Sequence, residues 1–182
     1  MNIESTSLPG LVKIIPEIYP DERGYFIEAY HIKRLKKLGL VETFVQDNQS
    51  FSKKGVLRGL HFQHPPYAQG KLVRVLSGKV WDIVVDLRER SPTFGEHYQC
   101  ILDGEQHHQL YVPPGMAHGF YALEATLFLY KCTGYYHPEA ESGIHWRDPE
   151  LNIDWPDKNP LISAKDIKLP AFDALKKTLK FV

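Results

Sequence analysis

The sequence predicts an all-β fold in which two layers of antiparallel strands form a sandwich or barrel, with a few short helices at the flanks. Three observations point there. Between Val56 and Tyr135, short runs rich in valine, isoleucine, leucine and aromatic residues follow one another at close spacing. Turn signals separate them: SG at 77–78, SPTFG at 91–95, DGEQ at 103–106 and PPG at 113–115. No helical pattern alternates with these runs, which argues against a parallel sheet built from βαβ units.

Taken in order, LVKIIPEI (11–18) reads as an extended arm, because Pro16 suits an edge or an exchanged strand better than a central one. Asp21–Gly24 is a turn, and YFIEAY (25–30) a strand with Tyr25, Ile27 and Ala29 on one face. HIKRLKKLGL (31–40) sets Ile32, Leu35 and Leu38 on one side of an amphipathic helix that stops near Gly39. A strand is expected at Thr43–Gln46, followed by a polar turn. Then come strands at Val56–Gln63, Lys71–Leu76, Lys79–Asp86, Tyr98–Leu102, Gln109–Val112, His118–Ala122 and Thr126–Tyr135. After Tyr136 the chain is rich in loops. A last amphipathic helix starts at Pro170 or Ala171, with Ala171, Leu175 and Leu179 on one face. A loop tail this long is usually ordered over something functional. The organisation expected is one domain over 1–182, with an N-terminal arm (about 1–20) and a C-terminal loop and helix (about 137–182).

Composition narrows the function. Of 182 residues 43% are hydrophobic and 24% charged, with a formal net charge of zero. That profile suits a globular protein with a sizeable core and provides no charge argument for nucleic acid or a membrane surface. The N-terminus lacks the cationic start and apolar core of a signal peptide, and no apolar run reaches bilayer length. Two distant cysteines, Cys100 and Cys132, suit reduced thiols and a cytoplasmic location.

The chemistry concentrates between Gly55 and Gly78, in GVLRGLHFQHPPYAQGKLVRVLSG. His61 and Gln63 are two apart on one strand and share a face, with Arg58 close by. Lys71 opens the next strand, on a face otherwise made of Val73 and Val75. A histidine that titrates near ~6.5 can take and return a proton at working pH. A fixed cation beside it could steady an enolate oxygen. Those are the parts needed to remove a proton from carbon next to a carbonyl. His118, leading out of the PPG turn, is as well explained by a backbone bond as by a site role. Tyr130 shares a face with Thr126 and Phe128 and, if it points inward, can act as an acid. Arg23, Glu28, Gln46 and Asn48 are, on their local pattern, turn formers or surface groups. His107 and His108 read as a surface turn.

Nine histidines invite a test for metal. Gly55 followed by His61, and the P-x-G-x-x-H of Pro113, Gly115 and His118, match the spacing of the cupins, whose fold is an antiparallel β-sandwich or jelly-roll barrel. In that frame Gln63 stands where a second metal-binding histidine would be and Lys71 where a carboxylate would be. An amide and a cation make a poor divalent-metal site, so no metal is expected.

Longer segments carry a closer resemblance. DERGYFIEAY, FVQDNQSFSKKGVLRGLHFQ, AQGKLVRVLSGKVWDIVVDLRERSPTFG, QLYVPPGMAHGF, LYKCTGYYHPEAESGIHW and SAKD resemble, in order, segments of the dTDP-4-dehydrorhamnose 3,5-epimerases. These are cupin-type sugar-nucleotide epimerases, and the similarity spans about Leu11 to Pro170. The resemblance implies a base, His61, oriented by Asp166 of SAKD, and an acid, Tyr130, on the opposite face of the sugar. It implies Lys71 and His118 near the keto oxygen, and Arg23, Glu28, Gln46, Asn48, Arg58, Glu141 and Lys165 against the nucleotide or diphosphate. It further implies no metal and no organic cofactor, and a homodimer in which N-terminal strands such as LVKIIPEI join the partner's sheet. Relatives that epimerise only carbon 3, or only carbon 5, share the base and most of this frame, so the rival within this reading is a single-site epimerase, or a ketoisomerase, acting on a related 4-keto sugar. The competing classes are a metal-dependent cupin enzyme, which Gln63 and Lys71 argue against, and a binding module that would not need His61 and Tyr130 together.

Overall fold

In the computed structural model, which describes residues 1–181, fourteen strands form two facing sheets and a separate hairpin. In chain order they are β1 (Asn2–Ser5), β2 (Val12–Ile15), β3 (Ile18–Asp21), β4 (Gly24–Ile27), β5 (Gln46–Ser52), β6 (Val56–Gln63) and β7 (Lys71–Ser77). There follow β8 (Lys79–Asp86), β9 (His97–Asp103), β10 (Gln109–Val112), β11 (Met116–Ala122), β12 (Thr126–Cys132), β13 (Glu141–Gly143) and β14 (Leu161–Ile162). Two short helices flank them, α1 (Ile32–Lys37) and α2 (Phe172–Lys176). One sheet runs β1-β2-β10-β7-β12-β5 and the other β13-β6-β11-β8-β9, with β14 joined to β6 as the sole parallel pair among the described residues.

The core follows from side-chain parity. Inward residues of the two sheets, among them Val73, Val75, Val80, Val84, Leu102, Leu110, Phe120 and Phe128, pack between the layers. The second sheet is covered on its outer face too. Ile83, Val85, Ala117 and Tyr121 there meet Trp146, Leu151, Trp155, Phe172, Leu175 and Leu179 of the C-terminal segment. Burial on both faces explains why KVWDIVVD and MAHGFYA do not alternate: every residue of β11 is buried. The loop tail is therefore a cover. It is held by bonds such as Trp155 Nε1 donating to the Trp146 carbonyl at 2.7 Å.

Several elements differ from the sequence reading. β2 pairs with both β1 and β10, so Pro16, just past its end, does not make it an edge, and β1 is the outer strand. The strand expected at 25–30 ends at Ile27 and the one expected at 126–135 ends at Cys132. β5 falls where a polar turn was expected. Its inner face carries Gln46, Asn48 and Ser50, because it borders a polar cavity and so shows no apolar alternation. In α1 it is Leu35, with Leu40 beyond the helix, that is buried, while Leu38 is exposed. In α2 Phe172 replaces Ala171 on the apolar face. His107 is buried against the ring of Tyr25, with centroids 4.7 Å apart, and is no surface residue.

Candidate active site

Between the sheets lies a cavity of about 410 Å³. Its walls include Asn48 of β5, Arg58 and His61 of β6, Lys71 of β7, His118 of β11 and Tyr130 of β12, with Ser163, Lys165 and Asp166 from the C-terminal cover. Phe120 and Phe128, stacked with centroids 4.4 Å apart, form an apolar part of its lining.

A β-bulge brings Arg58 and His61 to the same side. Residues three apart on a regular strand face opposite ways. Here His61 opposes His118 while Arg58 opposes Phe120, so three steps along β6 match two along β11. Gly59 occupies the bulge at φ +116°, and a Cβ there would lie 2.5 Å from Gly119 Cα and 2.8 Å from the His118 carbonyl oxygen. Gly59→Ala is therefore expected to destabilise the fold by about 1–3 kcal/mol or more. At about 2–4 °C per kcal/mol for a chain of this size, a thermal melt would register it. A wild-type melting curve would show that the neighbouring backbone gives way, and would undo this account of the bulge.

His61 Nε2 lies 2.8 Å from Asp166 Oδ1, across 105 residues of sequence. The other carboxylate oxygen, Oδ2, accepts from the Gly59 N–H at 3.4 Å, and the Asp166 N–H donates to Ser163 Oγ at 3.0 Å. Burial works to raise the Asp166 carboxyl, but its hydrogen bond to His61, the charge of that ring and the Gly59 N–H outweigh burial and hold it below the usual carboxylate value. The pair is a carboxylate holding an imidazole in one orientation, the arrangement a histidine base needs.

Lys71 stands beside the fully buried Val73 and Val75, and its ammonium donates to the His61 carbonyl at 3.3 Å. Burial pulls it below the usual lysine value, partly offset by Cys132, Glu141 and Asp82. Tyr130 is pushed up by burial, with Cys132 and Glu141 adding to the effect, so it is protonated at neutral pH. His118 Nε2 meets both carboxylate oxygens of Asp82, at 3.1 and 2.9 Å. Arg58 Nε donates to Ser52 Oγ and its Nη2 to the Phe51 carbonyl, which leans it along β5.

The remaining sequence candidates divide. Glu141 does not itself line the cavity, but its Oε2 accepts from Lys165 Nζ, which does, and from the Tyr136 hydroxyl, each at 2.5 Å. Burial opposes ionisation of Glu141, but those bonds hold its carboxyl below the usual value. Gln46 borders a neighbouring cleft with Gln69 and Tyr136, and donates to Asn48 Oδ1. Arg23 and Glu28 do not line the cavity. Arg23 is paired with Asp21 in the exposed hairpin, and Glu28 with Arg34 of α1. Gln63, expected to look inward beside His61, instead ties two loops. It donates to the carbonyls of Tyr67 and Tyr135 and accepts from the His137 N–H. Cys100 and Cys132 are free thiols. Among the described residues, no three His, Cys, Asp or Glu side chains converge as a metal site would require.

Sequence reasoning passed over Asp82 and Ser163. Asp82 did leave a signal. In KVWDIVVD it shares parity with Val80 and Val84, and an acid on an apolar inward face must have a partner.

Comparison with known proteins bears on this geometry. The family model described as dTDP-4-dehydrorhamnose 3,5-epimerase matches residues 5–174. A dTDP-4-dehydrorhamnose 3,5-epimerase of Methanothermobacter thermautotrophicus is 51% identical over 152 residues, 83% of this chain and 82% of that protein. Its counterpart from Shigella flexneri is 47% identical over 169 residues, 92% of this chain and 93% of that protein. Among solved structures, the dTDP-6-deoxy-D-glucose-3,5-epimerase of Legionella pneumophila in complex with dTDP-4-keto-L-rhamnose superposes with a TM-score of 0.92 at 49% identity. The match covers 97% of this chain and 95% of that one.

Proposed function

As this chain belongs to the dTDP-4-dehydrorhamnose 3,5-epimerase family, we propose that it inverts carbons 3 and 5 of dTDP-4-dehydro-6-deoxy-D-glucose, yielding dTDP-4-dehydro-L-rhamnose for dTDP-L-rhamnose biosynthesis. The observation that carries the reading is one cavity bounded by a carboxylate-held histidine, a buried lysine and a protonated tyrosine. The ketone at carbon 4 acidifies the protons on both flanking carbons. His61 removes one, with Asp166 holding the ring. The Lys71 ammonium steadies the oxygen of the resulting enolate, and Tyr130 returns a proton to the opposite face. Repetition at the second carbon completes the L-sugar. One preorganised donor at a developing oxyanion contributes about 3–4 kcal/mol. His118 meets the sugar. Arg58, Asn48, Gln46, Lys165 and Glu141 meet the nucleotide or diphosphate. No metal or cofactor takes part.

The whole chain acts as one epimerase domain, in the cytoplasm and as a homodimer. The hairpin of β3 and β4 supports the dimer. It leaves Ile18, Tyr19, Tyr25 and Phe26 exposed, the last at 66%, beside Arg23. A partner's cavity would take up the Arg23 and Glu28 that their own protomer leaves outside. Sedimentation at micromolar concentration is expected to report the dimer mass, and a monomer would refute this part.

Proton NMR of dTDP-4-dehydro-6-deoxy-D-glucose with the protein in deuterium oxide tests the reaction. Deuterium is expected at both flanking carbons, with conversion to the L-sugar. Exchange at one carbon only would make this a single-site epimerase, and no exchange would rule out the substrate.

A further inference from the structure

We propose that Gln63 and Gln69 are positioning residues for substrate binding: with Gln46 they fix the backbone of residues 134–137 as a strap along the cleft that continues the cavity, and so set the affinity for the nucleotide part of the substrate rather than the rate of proton transfer. The inference rests on the epimerase reading, in which Gln46, Glu141 and Lys165 meet the nucleotide or diphosphate, and extends it to the residues that hold those groups in place.

Residues 134–137 lie between β12 and the short 3₁₀ turn Pro138–Ala140 and belong to no sheet. Their backbone groups therefore need partners from outside a strand ladder. Glutamine side chains from separate segments supply them. The Gly134 carbonyl accepts from Gln69 Nε2 at 2.7 Å, and the Tyr135 carbonyl from Gln63 Nε2 at 3.3 Å. The Tyr136 N–H donates to Gln46 Oε1 at 3.1 Å, and the His137 N–H to Gln63 Oε1 at 2.8 Å. Each of these consecutive residues is thus held by an amide side chain. Gln63 is the centre of the set. It is 5% exposed, and its Nε2 also donates to the Tyr67 carbonyl at 2.7 Å. The Tyr67 ring in turn stacks on His137, with centroids 3.8 Å apart. An amide end presents a donor and an acceptor side by side without charge, and this junction uses both.

The strap carries groups that bear on the substrate. Tyr136 donates its hydroxyl to Glu141 Oε2 at 2.5 Å, and the same oxygen holds Lys165, which lines the cavity. Gln46, bonded to the strap by its Oε1, donates from Nε2 to Asn48 Oδ1 at 2.9 Å, and Asn48 lines the cavity too. Beside the strap lies a cleft of about 280 Å³ whose walls include Gln46, Gln69 and Tyr136. It shares Asn48 and Tyr130 with the cavity, so the two spaces adjoin. A loosened strap releases Tyr136, and with it the support of Glu141 and Lys165. His61, Asp166 and Lys71 are held by bonds that do not involve residues 134–137. Contacts that hold the substrate equally before and during the reaction change KM and leave kcat in place.

The test is Gln63→Met and, separately, Gln69→Met, which keep side-chain length and remove the amide. In Gln63→Met, KM for the sugar nucleotide and the calorimetric Kd for dTDP are expected to rise about ten-fold, the change that loss of one net hydrogen bond brings, with kcat unchanged. Gln69→Met should move both in the same direction by less, since Gln69 makes one such bond and Gln63 three. A merely structural loss would lower the active fraction, and with it apparent kcat, and leave KM and Kd where they were. Folded variants with unchanged KM and Kd, or a fall in kcat at unchanged KM, would overturn the proposal. If Gln63→Met does not fold, Gln69→Met decides, because Gln69 is only partly buried. Amide hydrogen exchange tests the strap without substrate. In the wild type the Tyr136 and His137 amides should be protected although the Tyr135 and Tyr136 side chains are exposed, and in Gln63→Met the His137 amide should exchange faster. Freely exchanging wild-type amides would overturn the strap. A wild-type protein that neither binds dTDP nor labels the sugar would reject the epimerase reading instead, and the strap would then be judged by amide exchange alone.

Discussion

His61→Ala is expected to abolish deuterium incorporation at both carbons flanking the ketone. The variant removes the one imidazole that a buried carboxylate orients at 2.8 Å towards this cavity from the β6 side. A positioned base contributes about 10²–10⁴-fold, so exchange should fall by at least that range at each carbon. Proton NMR in deuterium oxide, with enzyme raised until the wild-type rate is saturating, measures it. The melt should change little, since His61 is only partly buried and the core beneath it is intact. Near-native exchange would show that His61 is no base. Loss at one carbon with exchange kept at the other would mean that a second group removes that proton, and Tyr130 would be the first to examine.

Tyr130→Phe separates exchange from inversion. A proton removed by His61 can be replaced by deuterium from the same side without Tyr130. Inversion requires delivery to the other face. The variant should therefore keep measurable exchange while formation of the L-sugar falls by about 10²–10⁴-fold. Burial raises the Tyr130 hydroxyl above the usual tyrosine value, so it stays protonated through the neutral range in which inversion is measured. Inversion at wild-type rate in Tyr130→Phe would remove the tyrosine from the mechanism. Equal loss of exchange and inversion would assign it an earlier role, such as holding the sugar against His61.

Periodicity and turn residues carried most of the architecture. Lys71–Leu76, Lys79–Asp86 and Gln109–Val112 stand out as short apolar runs between SG, SPTFG, DGEQ and PPG, and the strands lie there. β5 was hidden because strand detection rests on apolar alternation, and a strand facing a polar cavity has none. Pro16 does not make β2 an edge because it stands just past Ile15, where a missing N–H costs the ladder nothing.

For the site, local pattern reached His61 and Lys71, and the valines beside Lys71 marked it as an inward cation. Gln46, Asn48, Glu141, Lys165 and Asp166 came from resemblance to a known family, since nothing in their immediate neighbours distinguishes them from turn or surface residues. Strand parity would have separated Arg58 from His61, and only the slipped register at Gly59 reunites them.

The sequence by itself determined the all-β class, the order of most strands and the residue types able to move a proton beside a ketone. These depend on side-chain period and on turn chemistry, which act over a few residues. Tertiary structure alone decided which groups meet. Asp166 reaches His61 from 105 residues away because the C-terminal segment buries its tryptophans and leucines on the outer face of the second sheet. Asp82 lies behind His118 because adjacent strands set their inward side chains side by side. Both contacts are made by packing between distant segments, and no local propensity carries that information.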